Sequence, residues 1–341
     1  MSDILNPTEE ALAEAPPPTR GGGVVRYVLT KVGGGLISLG LVVVLGFLLF
    51  RVLPGDVVQT MFRGRPATPE AMAELKSQLG LDDPLYQQFL DYVWRLLHGD
   101  LGESYVFRVP VAQKIGERLG PTLLLVGVAT LIAVALGLWL GTRSAWRRGS
   151  RFDRVSTGVA LTLWSTPTFW LGMLLLGATS GLFPTQGIVD SDTPPDFLSQ
   201  TIDVAHHMVL PTITLVAVIY AQYQLVMRSS LLEEMGSDYL TTARAKGLRD
   251  DLVRRRHAVP NALLPTVTLV FLHLGFVIAG AVTTETVFTW PGLGLLTYDA
   301  LSDRDLPLLQ GTFIVLAGAV IAMNVLADIL YRVLDPRVRT S

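Results

Sequence analysis

Cysteine is absent from the 341 residues, which excludes disulfide bonds, iron–sulfur clusters and thiolate zinc sites. Charge is also scarce, because Asp, Glu, Lys and Arg make up 16% of the chain against about 25% in ordinary soluble domains. Hydrophobic residues account for 50% of the chain, and the mean hydropathy is +0.45. These proportions predict a protein whose surface largely faces lipid.

Several motifs that carry chemistry are missing too. The sequence contains no GxxxxGK[ST] phosphate loop, no HExxH and no GxSxG, so we expect neither an enzyme nor a chain that binds ATP, Mg²⁺ or another cofactor itself. His206 and His207 are adjacent and therefore point to different faces of a helix, which prevents them from chelating a metal by themselves. No metal site is predicted.

Six apolar segments are long enough to cross a bilayer core about 30 Å thick. Because lipid offers no partner for open backbone N–H and C=O groups, each must be a helix. The sequence therefore predicts an all-α polytopic membrane protein with six transmembrane helices. The segments are roughly residues 31–53, 119–142, 155–180, 208–227, 264–287 and 311–334.

The distribution of basic residues among the loops indicates which side of the membrane each loop faces. The loops at 143–154 and 228–262 are rich in Arg, whereas 181–207 has no Lys or Arg and carries several Asp residues. Loops rich in Lys and Arg stay in the cytoplasm. We therefore expect an inner-membrane protein with both termini and the 228–262 loop cytoplasmic.

Composition and span positions divide the chain into five parts. The insert before the second span contains amphipathic helical patterns. These helices could form a cap that packs on the bundle or a contact surface for an external partner, and both alternatives remain open. Together the parts are a flexible cytoplasmic tail (1–26), a first transmembrane helix (27–53), an external helical insert (54–118), a five-helix core that includes the 228–262 loop (119–334) and a second tail (335–341).

The loop DYLTTARAKGLRDDLVRRRHAVPNALLP, residues 238–265, has a pattern unusual for a membrane protein. It predicts a helical stretch over 238–246 that ends at Gly247 in a left-handed conformation, then a second stretch over 249–257. Pro260 and Pro265 are expected to break the pattern before the fifth span. Such a platform could dock into a cleft of a motor protein; the alternative is an interfacial helix lying on anionic lipid.

This loop resembles the EAA motif of permease subunits of bacterial ABC importers. Thr241, Thr242 and Ala243 stand at the EAA positions, and Gly247 matches the glycine of the motif. The TARAKGL form is typical of the dipeptide, oligopeptide and nickel branch, and the insert resembles that of the first permease of dipeptide and oligopeptide importers. Further matching stretches are LPGD (53–56), STPTFWLG (165–172), ETVFTWPGLGLL (285–296) and DPR (335–337).

The resemblance implies a type I ABC importer permease fold, a second homologous permease subunit, two ABC ATPase subunits that bind ATP and Mg²⁺, and an extracytoplasmic binding protein. It implies a peptide cargo, with nickel or another small solute as the alternative, and no nucleic acid. The residues expected to couple the chain to the ATPases are Asp238, Tyr239, Thr241, Thr242, Ala243, Arg244, Ala245, Lys246, Gly247 and Leu248.

Polar residues within or beside the spans are candidates for the translocation pathway. Glu285 could meet a cargo amino group or hydrogen-bond to a neighbouring helix. Trp290 suits a membrane interface, and Pro291, Gly292 and Gly294 favour irregular backbone at an external gate. The pathway candidates are Tyr220, Gln222, Gln224, His273 and Glu285.

Two further spacings predict contacts between or within helices. Gly137 with Gly141, and Gly177 with Gly181, are small residues at helical spacing that permit close helix approach. Asp328 and Arg332 are spaced for an i, i+4 ion pair.

A stand-alone channel or ion-coupled transporter is the remote rival class. It would need an ionisable relay inside the spans, which their centres lack.

Overall fold

The computed structural model describes residues 22–52, 68–78 and 82–334. Within them the chain is helical, apart from loops and one isolated bridge between Glu103 and Pro110. The predicted all-α class is confirmed; the tail before residue 22, the LPGD stretch and the DPR stretch lie outside the described residues. The helices are α1 (Gly22–Val52), α2 (Pro69–Gln78), α3 (Leu85–Leu97), α4 (Val111–Trp146), α5 (Arg151–Trp164), α6 (Thr168–Ala178), α7 (Phe197–Glu234), α8 (Asp238–Ala245), α9 (Asp250–Val253), α10 (Val259–Val287), α11 (Leu293–Asp303) and α12 (Leu306–Leu334).

Long apolar helices dominate the molecule. In the described residues, α1, α4, α7 and α12 are each long and apolar enough to cross a membrane, and α5 with α6 counts as a fifth crossing if the bent pair is one span. Helix α10 has 29 residues, a length of about 43 Å at the helical rise of 1.5 Å per residue. Its central side chains, 272–280, lie outside the described part of the chain.

The third predicted span is not the continuous helix expected over 155–180. Helix α5 ends at Trp164, α6 begins at Thr168, and the two are bent by 104° at the break. Pro167 explains the break, since its ring disfavours helical geometry for Thr166 and it has no N–H to donate.

The expected break at Pro260 and Pro265 is wrong. A π-helical turn at Arg254–Ala258 runs directly into α10, which begins at Val259 and continues through both prolines. Pro260 lies in the first turn of α10, where its missing N–H would have no partner in any case. Pro265 is inside the helix, where membrane helices tolerate proline when neighbours satisfy the freed carbonyl.

Helices α4 and α7 pack backbone to backbone. A Cβ added at Gly137 would lie 2.6 Å from the Tyr223 Cβ, and one at Gly141 would lie 2.6 Å from the Gln224 carbonyl oxygen. The predicted close approach is therefore confirmed for this pair. Gly177 and Gly181 differ, because no atom of the described residues comes within 4 Å of a Cβ at either position.

Helix α1 packs against both α12 and α3. The Lys31 ammonium lies 2.8 Å from the Asp328 carboxylate of α12, and Phe47 packs edge-on against Phe89 of α3 at 5.3 Å between ring centroids. The side chain of Arg332, the expected partner of Asp328, lies outside the described residues. One face of α3 thus packs on the bundle, and its other face exposes apolar side chains such as Leu90 and Trp94.

The glycine contact predicts a stability difference between two otherwise similar substitutions. Gly141→Ala places a methyl group against the α7 backbone, whereas Gly127→Ala on the same helix meets open space. We expect Gly141→Ala to lower the free energy of unfolding by about 1–3 kcal/mol and Gly127→Ala to leave it unchanged or slightly raised. Thermal unfolding in detergent measures both, and equal melting temperatures would contradict the proposed packing.

Candidate functional site

The segment 238–258, called the platform below, joins α7 to α10. Helix α8 ends as predicted, with Gly247 at φ +81°. The Gly247 N–H donates to the Arg244 carbonyl at 2.9 Å and the Leu248 N–H donates to the Ala243 carbonyl at 3.3 Å. These two bonds form a Schellman cap, which turns the chain sharply and satisfies carbonyls at the helix end.

Apolar side chains fix the platform to the helical bundle. Leu240 and Val253 are completely buried, and Ala243 is nearly so. They pack in one cluster with residues from α4, α7 and α10, so the platform cannot move without these helices. The buried members of the cluster are Ala145, Met227, Leu231, Leu240, Ala243, Val253, Ala258 and Ala262.

A hydrogen-bonded tyrosine ties the start of the platform to both flanking helices. The Tyr239 hydroxyl donates to the Glu234 carboxylate of α7, and it accepts from the Asn261 side-chain amide of α10 at 2.9 Å. Burial, reinforced by Glu234, raises the pKa of Tyr239 above its ordinary value. The hydroxyl therefore remains protonated at neutral pH and available as a donor.

A second polar contact reaches α4. The Trp146 indole N–H donates to the Asp250 carboxylate at 3.1 Å, and the Arg244 guanidinium lies 3.3 Å from the other Asp250 oxygen. Asp250 thereby joins α4, α8 and α9 at one point. An exposed ion pair of this kind adds little stability by itself, so its effect is chiefly to orient the Arg244 side chain.

Most of the predicted coupling residues face outward. Ala243 is the exception, because it shares the buried face of α8 with Leu240; its role in coupling stays a prediction. Lys246, Arg255 and Arg256 are exposed, and none has an acidic partner in the part of the chain that the structure describes. The exposed coupling residues are Asp238, Tyr239, Thr241, Thr242, Arg244, Ala245, Lys246, Gly247 and Leu248.

An ion pair beside the platform was not anticipated from the sequence. The Arg228 guanidinium of α7 donates to both carboxylate oxygens of Asp153 on α5, at 2.7 and 2.9 Å. The Gly149 N–H also donates to Asp153, at 2.9 Å. A bidentate pair of this type is strong and directional, so α5 is locked to α7 at the platform end of the bundle.

At the opposite end of α7, called the distal end below, Glu285 caps a helix. Its carboxylate accepts from the Thr122 hydroxyl at 2.7 Å and from the N–H groups of Gly294 and Leu295 at 2.6 and 3.2 Å. The Leu293 N–H donates to the Thr122 hydroxyl oxygen at 2.7 Å. Thr122 and Glu285 thus satisfy the open donors at the start of α11; we call this group the distal latch.

The glycines of the PGLG stretch make room for the latch. A Cβ at Gly292 or Gly294 would collide with the Glu285 carboxylate, which explains why side chains are absent there. Of the two alternatives for Glu285, the hydrogen bond with a neighbouring helix is present, with the Thr122 hydroxyl of α4 as its donor. Because Glu285 is fully buried and both its oxygens accept bonds, the carboxylate does not face a pathway in this conformation.

Trp290 is not the interfacial anchor that the sequence predicts. Its side chain is completely buried, and its indole N–H donates to the Pro121 carbonyl of α4 at 3.0 Å. Proline at 121 lies inside α4, and the indole reaches that helix because the chain turns back sharply at Thr289, which has φ +49°. Pro291, next to it, is only partly buried; a gating role for this segment stays a prediction.

The remaining pathway candidates lie mainly on α7. Tyr220 and Gln224 are buried and Gln222 is partly buried. Both amide atoms of Gln224 lack a hydrogen-bond partner among the described residues, which is costly for a buried polar group. His273 lies in α10, with its side chain outside the described part of the chain. That these residues line a pathway stays a prediction.

The fold is that of an all-helical membrane protein with an exposed platform anchored at one end of its bundle. Residues 133–340 match the family described as "Binding-protein-dependent transport system inner membrane component". Residues 24–126 match "Binding-prot-dependent transport system membrane comp, N-term". The chain belongs to this family of ABC transporter permeases, which are transport components of larger complexes.

Several characterised relatives match over nearly the whole chain. The dipeptide transport system permease protein DppB of Escherichia coli (strain K12) is 40% identical over 336 residues, covering 93% of this chain and 99% of the relative. The di/tripeptide transport system permease protein DppB of Pseudomonas aeruginosa is 40% identical, covering 87% and 94%. The glutathione transport system permease protein GsiC of Salmonella typhimurium is 36% identical, covering 93% and 99%.

The distal latch predicts different outcomes for two buried threonines of α4. Thr122→Val removes the hydroxyl that serves both Glu285 and the Leu293 N–H, so we expect a loss of about 1–3 kcal/mol in unfolding free energy. Thr130→Val removes a buried hydroxyl without a partner in the described residues and should cost nothing. Thermal unfolding of the two variants compares them directly; an equal loss would show that the latch contributes no stability.

Proposed function

We propose that this chain is the first of two homologous permease subunits in an ATP-driven importer of small peptides. It forms half of the translocation pathway, and its platform transmits the motion of separate ATPase subunits to the membrane helices. The observation that carries this proposal is the platform itself, whose outer face is exposed and whose inner face is buried against three long helices.

Docking to an ATPase is favoured by the chemistry of the exposed face. Ala245 and Gly247 leave the tip of α8 narrow, and Leu248 is apolar and 38% exposed. Lys246, Arg255 and Arg256, which have no acidic partner among the described residues, can pair with acidic groups of a partner. An interfacial helix resting on lipid would instead present an apolar stripe along its outer side. The exposed residues of α8 are mainly polar, which favours a protein partner.

The proposed assembly contains two ATPase subunits below the membrane and an extracytoplasmic binding protein above it. The platform then faces the cytoplasm, in agreement with its basic residues, and the distal end faces the binding protein. ATP and Mg²⁺ bind to the ATPases alone. ATP shifts the assembly between inward-open and outward-open states by binding one of them more tightly.

The connection between the two ends supports this mechanism. Helix α7 carries Leu231 of the platform cluster, and α10 carries both Ala262 of that cluster and Glu285 of the distal latch. A displacement of the platform is therefore passed along two stiff helices to the segment that packs around Trp290. Packed elements of this kind switch between discrete arrangements rather than deform continuously.

Peptide cargo is supported by the relatives, whose names refer to dipeptides, di/tripeptides and glutathione. Nickel, the alternative cargo, has no feature in the described residues that favours it over peptides.

The docking proposal is tested at Ala245, which is exposed near the end of α8. Ala245→Arg should block entry of the α8 tip into a cleft, so that ATPase subunits no longer co-purify and ATP hydrolysis loses its stimulation by the loaded binding protein. Ala245→Ser, which keeps a small side chain, should behave as the unmodified chain. Retention of the ATPases and of stimulation by Ala245→Arg would contradict docking at the platform.

The cargo proposal is tested separately by uptake. Cells that lack their own peptide importers and produce the complete complex should accumulate a labelled dipeptide, and a nickel isotope should not enter above background. Uptake of nickel without the dipeptide would leave the docking proposal intact and overturn the peptide assignment.

A further inference from the structure

Three side chains that can act as metal ligands lie close together at the distal end, and none of them belongs to the distal latch. Single ligand atoms of Asp190, Asp203 and His207 all lie within 4.8 Å of one another. Asp190 belongs to the loop before α7, whereas the other two lie one helical turn apart on α7 itself. The His207 side chain is 1% exposed, and the Asp190 side chain is 71% exposed.

The histidine tautomer follows from its surroundings. His207 Nδ1 lies 2.9 Å from the Asp203 carbonyl oxygen and 3.2 Å from the Asp203 carboxylate. Both neighbours are acceptors, so Nδ1 carries the proton and donates. With the proton on Nδ1, the Nε2 atom presents a lone pair, and histidine ligands of metals are commonly oriented by such a bond from the other nitrogen.

No group among the described residues donates a hydrogen bond to the Nε2 lone pair. Nε2 is buried without a hydrogen-bond partner among the described residues, and the nearest charged oxygen, on Asp190, is 3.6 Å away. A buried nitrogen lone pair that faces a carboxylate is unfavourable unless a cation lies between the two groups. Ligands bound to one Zn²⁺ at about 2.0–2.2 Å are separated by roughly 3–4 Å, so the Asp190 to His207 distance already fits.

Hydrogen bonds hold the Asp203 carboxylate in place. Asp203 Oδ2 accepts from the Thr193 hydroxyl at 2.6 Å and from the Asp190 N–H at 2.7 Å. These bonds orient Asp203 as a supported ligand would be oriented. Asp190 is exposed and free to rotate its carboxylate toward the cluster, which leaves a route for an ion from solvent.

We propose that Asp190, Asp203 and His207 bind one divalent transition-metal cation of the Zn²⁺ type. One imidazole nitrogen and two carboxylate oxygens are donors that zinc accepts, with water in a fourth position. The ion ties the loop of residues 181–196 to α7. Because the Gly187 N–H of this loop donates to the Phe288 carbonyl at 3.2 Å, metal binding also steadies the turn that leads to Trp290.

The test compares four forms of the complete importer in lipid nanodiscs: the unmodified complex, Asp190→Asn, His207→Gln and His206→Gln. His206 is the matched control, since its ring packs on Phe183 at 5.5 Å and takes no part in the cluster. After chelator treatment, Zn²⁺ binding is measured by titration with metal analysis, and Co²⁺ is used as a spectroscopic substitute.

The unmodified complex and His206→Gln should bind one more Zn²⁺ per permease than Asp190→Asn and His207→Gln, or bind it at least about tenfold more tightly. Zn²⁺ should raise the melting temperature only in the first two. Equal binding by all four forms, equal loss in His206→Gln, or no binding by the unmodified complex would each overturn the proposal. If His207→Gln fails to fold, the exposed Asp190→Asn decides alone.

Discussion

The burial of Leu240 is the contact on which the functional account depends. In the proposed importer, this chain binds no ATP and is driven through a rigid connection to separate ATPase subunits. Leu240 anchors the platform for this role, because it is completely buried among residues of α4, α7 and α10 while the opposite face of α8 stays exposed. The platform is thus part of the bundle's core and also part of its surface.

Close packing between α4 and α7 extends the rigid unit from the platform along the length of both helices. Gly137 and Gly141 bring the two backbones together, and the Asp153 to Arg228 pair adds α5 to the same unit. At the distal end, Thr122 of α4 meets Glu285 of α10. Two of the helices that hold the platform, α4 and α10, therefore also hold the start of α11 at the other end. In the proposed mechanism, this shared attachment passes motion between the two ends.

Local features of the site could be predicted from the sequence, since their physics is local. The Gly247 turn follows from a glycine at the end of a helical pattern, and the Gly137 contact follows from small residues one turn apart. The effect of a proline could not be predicted from the sequence alone. A helix ends just before Pro167, whereas a helix continues through Pro260 and Pro265. The difference depends on the position of the proline within the helical turn and on the neighbouring helices.

Contacts between distant parts of the chain could not be predicted in this way. Thr122 and Glu285 are separated by 163 positions, and nothing in either neighbourhood indicates the other. Trp290 has the composition of an interfacial anchor, yet the turn at Thr289 directs it into the core. His207 is a candidate ligand because the loop containing Asp190 lies beside it. The sequence shows only that His206 and His207 are adjacent, and adjacent residues of a helix point to different faces.

Cysteine cross-linking is the most direct test of the central claim, since the natural chain contains no cysteine to interfere. Leu248→Cys on the platform and Leu182→Cys at the distal end are both exposed. In the assembled importer, a bifunctional thiol reagent should link Leu248→Cys to an ATPase subunit and should not link Leu182→Cys to one. Cross-links to the ATPase from position 182, with none from position 248, would contradict the account.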